Sequence, residues 1–392
     1  MKLKIILSFC LLFCITGCSN YQELNDLAIA SALGIDKTEN GFRVTTQIIN
    51  TEKNSGSYDS SGQPKFITYT AEGTTLNEAF RNIVFESSRK LYPNHAEVIV
   101  IGHELAEAGI YPIFDMFFRN ADIRKQSLMI VSIDNTAEEI LKVTTPLALI
   151  NAEKIKSTLE ADAKFLGTTD LVTFEKMLAN YLSDTKQIML PAITIINENN
   201  IGNTSKNIES TEINTKLLLS SLVVFKNDKM IGHLTQEESL AVSFIMGKVN
   251  TTIITHKCEN NNHLTIEIID TNTKTTNFKN KSKIKLTISA SAVLNENTCN
   301  LDLESPKTFK DIETSINDQL KNQIYKTIHD VNEKYNTDVY GFLDLIYKNN
   351  PKYYNKIKDN WYNDGLVNLE IDASVDVKLI FKGSGLKGIY DE

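Results

Sequence analysis

Two short clusters of histidine and glutamate have spacings close to those of metal-binding motifs. His103 opens a segment that ends at Glu107 and differs by one residue from the zinc-protease pattern HExxH. That pattern needs two histidines one helical turn apart so that both face one metal ion. Glu107 stands where the second histidine is required, and no third ligand with matching spacing follows. His95 and Glu97 are likewise not followed by the CxxC of zinc deaminases. The sequence therefore predicts no metal site.

A glycine-rich segment near the carboxyl end fits the phosphate-binding pattern GxGxxG. Residues 383–388 follow a predicted strand, but the motif holds pyrophosphate at the start of a helix inside a βαβ unit. Residues 389–392 are too few for that helix and a second strand, so we interpret the segment as a turn. The sequence also lacks GxSxG and an activated cysteine. We predict no catalytic residue, no cofactor and no enzymatic activity.

The amino terminus has the pattern of an export signal. Lysines precede an apolar run, Ile5–Phe13, which is shorter than the roughly 20 residues that a spanning helix needs. Cys18 follows Thr-Gly, which resembles the lipobox of bacterial lipoproteins. We therefore predict a signal peptide of residues 1–17 and acylation of Cys18, which would become the first mature residue. The alternative is an ordinary signal peptide that contains a cysteine.

The remaining cysteines allow one disulfide. Of five, Cys10 and Cys14 leave with the signal and Cys18 would carry lipid, which leaves Cys258 and Cys299. In an exported chain these two could pair, and the alternative is two buried free thiols.

Composition and charge exclude some classes of partner. The formal net charge is -8 and is spread along the chain without a basic stripe, which argues against nucleic acid and against charge-driven adhesion to an anionic lipid surface. With 42% hydrophobic and 23% charged residues, the chain can bury packed cores. No second stretch reaches spanning length, so we expect tethering to the membrane by lipid alone.

The elements that would position these residues alternate between strands and helices. Strands are predicted at 27–36 and 42–49, joined at Asn40-Gly41. Three capping boxes indicate helix starts: Thr75 with Glu78, Thr136 with Glu139, and Thr235 with Glu238. Ser305-Pro306 indicates the start of a long helix, whose apolar stripe is Ile312, Ile316, Leu320, Ile324 and Ile328. A short helix over 339–347 and a strand over 367–381 follow.

A polar segment divides the chain. Residues 197–215 are almost all Asn, Ser, Thr, Glu and Lys, which cannot bury enough apolar surface to offset their ordering entropy. We predict a polar linker at 201–215 between an N-terminal α+β region, 18–200, and a C-terminal α+β domain, 216–392. The N-terminal region would comprise two small domains divided near 135–145. The fold class is α+β, with three domains of mixed sheets packed with helices and a lipid-anchored amino terminus.

Four segments together resemble one family. They are the stretch from Glu23 to Asp36, the stretch from His95 to Gly102 with Glu104–Ala106 and Gly109-Ile110, the stretch Arg119–Arg124, and the C-terminal pattern of Asn336–Gly341, Pro351 and Trp361 before the last strand. In this order and over nearly the full length, they are similar to the Ger(x)C lipoproteins, the C subunits of the nutrient germinant receptors of bacterial endospores. The sequence departs from that pattern at Ser19-Asn20, where members often carry Trp-Asp, and at 381–383, where a basic pair is usual.

The resemblance implies an α+β protein of three domains on the outer surface of the spore inner membrane. It implies a non-catalytic subunit that works with an A subunit and a membrane-embedded B subunit when nutrients start germination. The other function that we consider is a lipid-anchored solute-binding protein. That function would need a cleft between two similar α/β domains, and the two halves of this sequence differ in pattern.

Overall fold

A large mixed sheet organises the first part of the molecule. The computed structural model describes residues 26–49, 66–120, 122–146, 150–197, 202–209, 211–258, 261–278, 282–299, 301–303 and 305–380. Within these residues the first sheet has nine strands, in the order β3-β2-β1-β5-β6-β7-β8-β9, with β4 paired to β1. The strands are β1 Leu27–Thr38, β2 Gly41–Ile49, β3 Phe66–Gly73, β4 Lys90–Tyr92, β5 Val98–Ile101, β6 Leu128–Ser132, β7 Met189–Ile196, β8 Lys216–Lys226 and β9 Lys229–His233.

The middle of this sheet is parallel and its margins are antiparallel. β1, β5, β6 and β7 run in one direction, and the short β4 is parallel to the start of β1. β2 and β3 on one side, and β8 and β9 on the other, are antiparallel. The connection from β1 to β2 is shorter than we predicted, because Thr38 pairs with Gly41 and only two residues turn the chain. A Cβ atom at Gly41 would lie 2.2 Å from the carbonyl oxygen of Gly73, so this position needs glycine.

Helices cover both faces of the first sheet. One face packs against α1 Leu76–Asn82, α3 His103–Ala108, α4 Tyr111–Arg119 and α7 Phe174–Tyr181, with the short α2 Val84–Ser87 following α1. The other face packs against α5 Ala137–Lys142 and α6 Asn151–Phe165. The predicted helix starts at Thr75 and Thr136 are confirmed, since each threonine Oγ1 accepts a hydrogen bond from the backbone N–H three residues later, at 3.1 Å in both cases.

A four-stranded sheet and a long helix organise the rest of the described chain. The sheet order is β10 Thr252–Lys257, β11 His263–Asn277, β12 Lys283–Asn297 and β13 Glu370–Leu379, and β13 is parallel to β12. The crossover between them contains α9 Pro306–Tyr335, α10 Phe342–Asn349 and α11 Pro351–Ile357, while α8 Gln236–Ile245 precedes the sheet. The start of α9 at Ser305-Pro306 is confirmed, and its predicted stripe is buried along the whole length. The predicted α+β class, with mixed sheets packed by helices, is confirmed.

The polar segment at 201–215 connects two neighbours of one sheet. We predicted a linker between domains here, yet β7 and β8 on either side of it are hydrogen-bonded antiparallel partners. β8 and β9 therefore extend the sheet of the N-terminal half, although they lie in the predicted C-terminal domain. Local composition cannot reveal such a pairing, because it depends on contacts between strands. The division into domains itself stays a prediction.

β8 takes part in two hydrophobic cores. Val223 and Phe225 point into the core that contains α1, α4 and α7. Leu222 and Val224, which alternate with them, lie in the core that contains α8, α9 and Trp361. Successive side chains of a strand point to opposite faces of the sheet, so one strand serves both cores.

Candidate functional site

His103 and Glu107 form a local contact at the start and end of one helical turn. His103 is the first residue of α3, and its Nε2 lies 3.4 Å from Glu107 Oε1. Its Nδ1 accepts a hydrogen bond of 3.3 Å from the backbone N–H of Asp134, so both ring nitrogens have partners within the chain. Across the described residues, no group of three or more His, Cys, Asp or Glu side chains could hold a metal ion.

The structure does not bring His95 and Glu97 together as a site. The His95 ring lies 5.8 Å from the ring of Tyr92, while Glu97 Oε1 accepts a hydrogen bond of 3.0 Å from Lys156 Nζ. Cys18 and the glycine-rich segment 383–388 lie outside the described residues. No helix in the described part of the chain combines the length and apolar character needed to cross a bilayer.

Cys258 and Cys299 lie side by side at one end of the second sheet. Cys258 follows β10 and Cys299 follows β12, and their Cα atoms are 5.9 Å apart in a disulfide arrangement. That separation lies within the range of protein disulfides. Their pairing closes a connection of 41 residues that contains β11 and β12.

Asp36 is a buried carboxylate at the carboxyl end of β1. Its side chain accepts backbone hydrogen bonds from Ala137, at 2.7 Å, and from Glu138, at 3.0 Å, in the first turn of α5. Burial raises the pKa of Asp36 to about 6, although these two backbone N–H groups act in the opposite direction. Asp36 thus attaches the start of α5 to the sheet. We did not predict this role, because the two segments are about a hundred residues apart in sequence.

Charged side chains lie next to Asp36, where β2, β3 and α5 meet. Arg43 on β2 bonds Glu72 on β3 at 2.7 Å and Glu138 on α5 at 3.1 Å. The hydrogen bond to Glu72 is the main reason that the pKa of Arg43 is raised. Arg43, Glu72 and Glu138 thus link two strands and a helix. Because these side chains bond one another, we infer that their role is structural.

Asp338 is a second buried carboxylate, within the C-terminal pattern of the family. It is 1% exposed and accepts hydrogen bonds from the backbone N–H groups of Gly341 at 2.9 Å, Phe342 at 3.1 Å and Leu343 at 2.7 Å. These bonds cap α10, whose preceding residue, Gly341, adopts φ 75° and offers no side-chain cap. The predicted start of this helix at Val339 is therefore wrong by three residues. Burial raises the pKa of Asp338 to about 6. An aspartate directly before a predicted helix is a cap signal, which draws attention to Asp338 but places the helix start at Val339.

A cleft lies between α7 and the second half of the molecule. It comprises two adjoining cavities of about 250 Å³ and 270 Å³ that share Asn180, Lys186 and Gln187. Hydrogen bonds cross it from Gln187 Nε2 to the hydroxyl of Tyr362, at 2.8 Å, and from the hydroxyl of Thr185 to Asp344, at 3.0 Å. Burial is the main cause that raises the pKa of Tyr362 to about 12. Three lining residues, Gln187, Tyr362 and Asp344, thus take part in bonds that join the two halves.

Comparisons with known proteins match most of the chain. Residues 20–195 match the family model for the spore germination protein N-terminal domain, and residues 220–383 match the model for the spore germination B3/GerAC-like C-terminal region. Spore germination protein KC of Bacillus subtilis (strain 168) is 28% identical over 92% of this chain and 90% of its own length. Spore germination protein B3 of the same organism is 21% identical over 91% of this chain and 92% of its own length.

A solved structure shares the fold. The crystal structure of the GerBC protein matches with a TM-score of 0.57 and 18% identity, over 89% of this chain and 97% of that chain. Two family models in register, full-length relatives and a common fold confirm the resemblance stated above. The chain belongs to the Ger(x)C family of spore germination proteins.

Proposed function

We propose that this chain is a non-catalytic lipoprotein subunit of a nutrient germinant receptor. It acts with the A subunit and the membrane-embedded B subunit at the outer surface of the spore inner membrane, where acylated Cys18 holds it. The observation that carries this proposal is the match of both family models, which together span 20–195 and 220–383.

The use of the polar side chains supports a role in assembly. Asp36 and Asp338, which lie in family segments, are bonded to backbone N–H groups at the starts of helices. His103 and Glu97 also have partners inside the chain. Groups that reacted with a substrate would instead converge on one accessible point. A subunit of this kind acts through its surfaces and its tether.

The proposal is tested by deletion in spores of the parent organism. Deletion spores should germinate slowly or not at all with the nutrient of this receptor and should contain less of the A and B partners. The measurements are nutrient-triggered release of the spore-core solute store and immunoblots of the partner subunits. Cys18→Ala should reproduce the defect and prevent incorporation of labelled fatty acid. His103→Ala, which removes a partly exposed side chain, should germinate normally and serves as the matched control.

Two results would contradict the proposal. One is normal germination of deletion spores that lack all paralogous receptors. The other is loss of germination in His103→Ala spores that retain normal amounts of the complex, which would indicate chemistry at that residue.

The second candidate function is a lipid-anchored solute-binding protein, and the cleft is the observation that favours it. Its lining includes Lys176, Lys186 and Lys248 together with Asp170 and Asp344. Lys176 is already bonded to Asp170, and Lys186 lies 3.8 Å from Asp344. Isothermal calorimetry with amino acids tests this function. Saturable binding that is lost in Lys248→Ala would favour the solute-binding protein over the receptor subunit.

A further inference from the structure

An exposed apolar surface lies at the end of the first sheet where the parallel strands begin. Phe85 on α2 is 84% exposed, Phe118 on α4 is 70% exposed and Val84 is 43% exposed. Phe85 is the most exposed large apolar side chain among the described residues. We call this region, with its neighbouring basic residues, the amino-end surface. Large apolar side chains grouped in this way mark sites of interaction.

The elements of the amino-end surface are connected to one another. α2 leads into β4, and β4 pairs with the start of β1, where Lys90 lies beside Leu27. Lys90 Nζ lies 3.7 Å from Asp122 Oδ2, just after α4. Beneath the surface, the rings of Phe80 on α1 and Phe117 on α4 pack edge to face at 6.3 Å. α2, β4 and the end of α4 therefore belong to one continuous face.

Basic side chains border the apolar ones. Five exposed basic residues lie in or beside these elements: Arg81, Arg89, Lys90, Arg119 and Arg124. Three acids lie in or beside the same elements: Asp122 pairs with Lys90, Asp115 pairs with Arg119, and Glu86 on α2 accepts a hydrogen bond of 3.2 Å from the backbone N–H of Thr70. Five basic and three acidic residues leave an excess of two positive charges. The whole chain has a net charge of -8, so this excess of positive charge is local.

The tether leaves the molecule at the same place. Eight residues, 19–26, separate Cys18 from Leu27, and an extended chain spans at most about 3.6 Å per residue. Leu27 is the residue that pairs with Lys90. A lipid on Cys18 thus keeps this face within roughly 30 Å of the bilayer interface. The carboxyl ends of the parallel strands lie farther from Leu27 by the length of a strand.

We propose that the amino-end surface docks on the lipid bilayer. Phe85, Val84 and Phe118 enter the interfacial region, and the surrounding arginines and Lys90 contact anionic headgroups. The lipid on Cys18 supplies membrane residence, and this second contact sets the orientation of the sheet relative to the membrane. This inference rests on the acylation of Cys18 in the proposed function.

The test places a fluorescent reporter on the surface. Acylated, full-length Phe85→Trp protein is bound to vesicles of phosphatidylcholine and phosphatidylglycerol whose acyl chains carry bromine, which quenches tryptophan within the bilayer. Trp361 is the single tryptophan of the natural chain and is 0% exposed, so its unchanged emission also reports an intact fold. The matched control is Leu218→Trp, on β8 at the other end of the same sheet, where Leu218 is 44% exposed and pairs with Thr194.

We expect blue-shifted, strongly quenched emission from Phe85→Trp and no quenching of the added emission from Leu218→Trp. Arg89→Glu in the Phe85→Trp protein should reduce the quenching on anionic vesicles. Equal quenching of both reporters, or none, would overturn the docking surface while leaving the germination phenotype untouched. Quenching of Phe85→Trp that appears only after the A and B subunits are added would also overturn direct docking. A chain that does not float with the vesicles would instead contradict the lipid anchor, and with it the orientation proposed here.

Discussion

The buried carboxylate of Asp338 allows a prediction whose size follows from the structure. The side chain is 1% exposed, and burial raises its pKa from 3.8 to about 6 in the folded chain. Because the folded state holds the proton more tightly than the unfolded state, protonation of this group stabilises the fold. Its contribution is fully present below pH 3.8 and is lost as the pH rises to about 6.

The magnitude comes from the difference between the two pKa values. At about 1.4 kcal/mol per pKa unit, the contribution of Asp338 to the free energy of unfolding falls by about 2–3 kcal/mol between pH 4 and pH 7. Asp338→Asn does not titrate and loses this dependence. Its single acceptor oxygen can replace Oδ1, which receives the N–H groups of Gly341 and Phe342, but not Oδ2, which receives that of Leu343. An unpaired buried N–H costs about 1–3 kcal/mol.

We therefore expect Asp338→Asn to be less stable than the natural chain at pH 4, and the difference to shrink by about 2–3 kcal/mol at pH 7. The assay is urea unfolding at a series of pH values, followed by the emission of Trp361, which lies in the same core as Phe342. Asp36 is unchanged in both proteins, so its titration cancels. Asp376→Asn, with a 57% exposed side chain, is the control and should change stability by less than about 1 kcal/mol. A stability difference that is independent of pH would refute the reasoning.

Two further predictions concern covalent and steric constraints. If Cys258 and Cys299 are bonded, reduction or Cys258→Ser should lower the free energy of unfolding by about 2–4 kcal/mol. Thiol labelling of the unfolded, unreduced chain should then modify neither cysteine. Labelling of both cysteines would contradict the bond. Gly41→Ala should cost about 1–3 kcal/mol, because its Cβ would lie 2.2 Å from the oxygen of Gly73; a thermal melt matching the natural chain would contradict the close approach.

Features that depend on neighbouring residues could be predicted from the sequence. Thr75, Thr136 and Thr235 each cap a helix at the predicted position, since the cap needs only a hydroxyl and the N–H three residues later. The apolar stripe of α9 could also be predicted, because a helix that packs on one face buries every third or fourth residue. The family signature segments identified the family for the same reason, as each is a local run of residues.

Features that depend on distant contacts could not be predicted. The pairing of β8 with β7 crosses a polar segment whose composition indicates a boundary, and only the apolar alternation of the two strands favours the sheet. The role of Asp36 depends on α5, which is brought to the end of β1 by the packing of the sheet. The amino-end surface could not be predicted from the sequence either. Its basic residues are spread between positions 81 and 124 and come together only in the folded chain.

The strand that serves two cores has a consequence for how the molecule can be divided. A cut between β7 and β8, in the segment that neither family model covers, would strip β7 of its partner β8 and leave an unpaired edge on the first fragment. The second fragment would begin with β8. Its Val223 and Phe225 side chains, which are buried in the intact chain, would be exposed to solvent. Each piece would therefore expose apolar surface that the intact chain buries. Leu222 and Val224 of β8 pack in the core of Trp361, and Val223 and Phe225 of the same strand pack in the core of the first sheet. A loss of packing around Trp361 should therefore displace β8 and destabilise both cores. We expect the two halves to unfold in one cooperative transition.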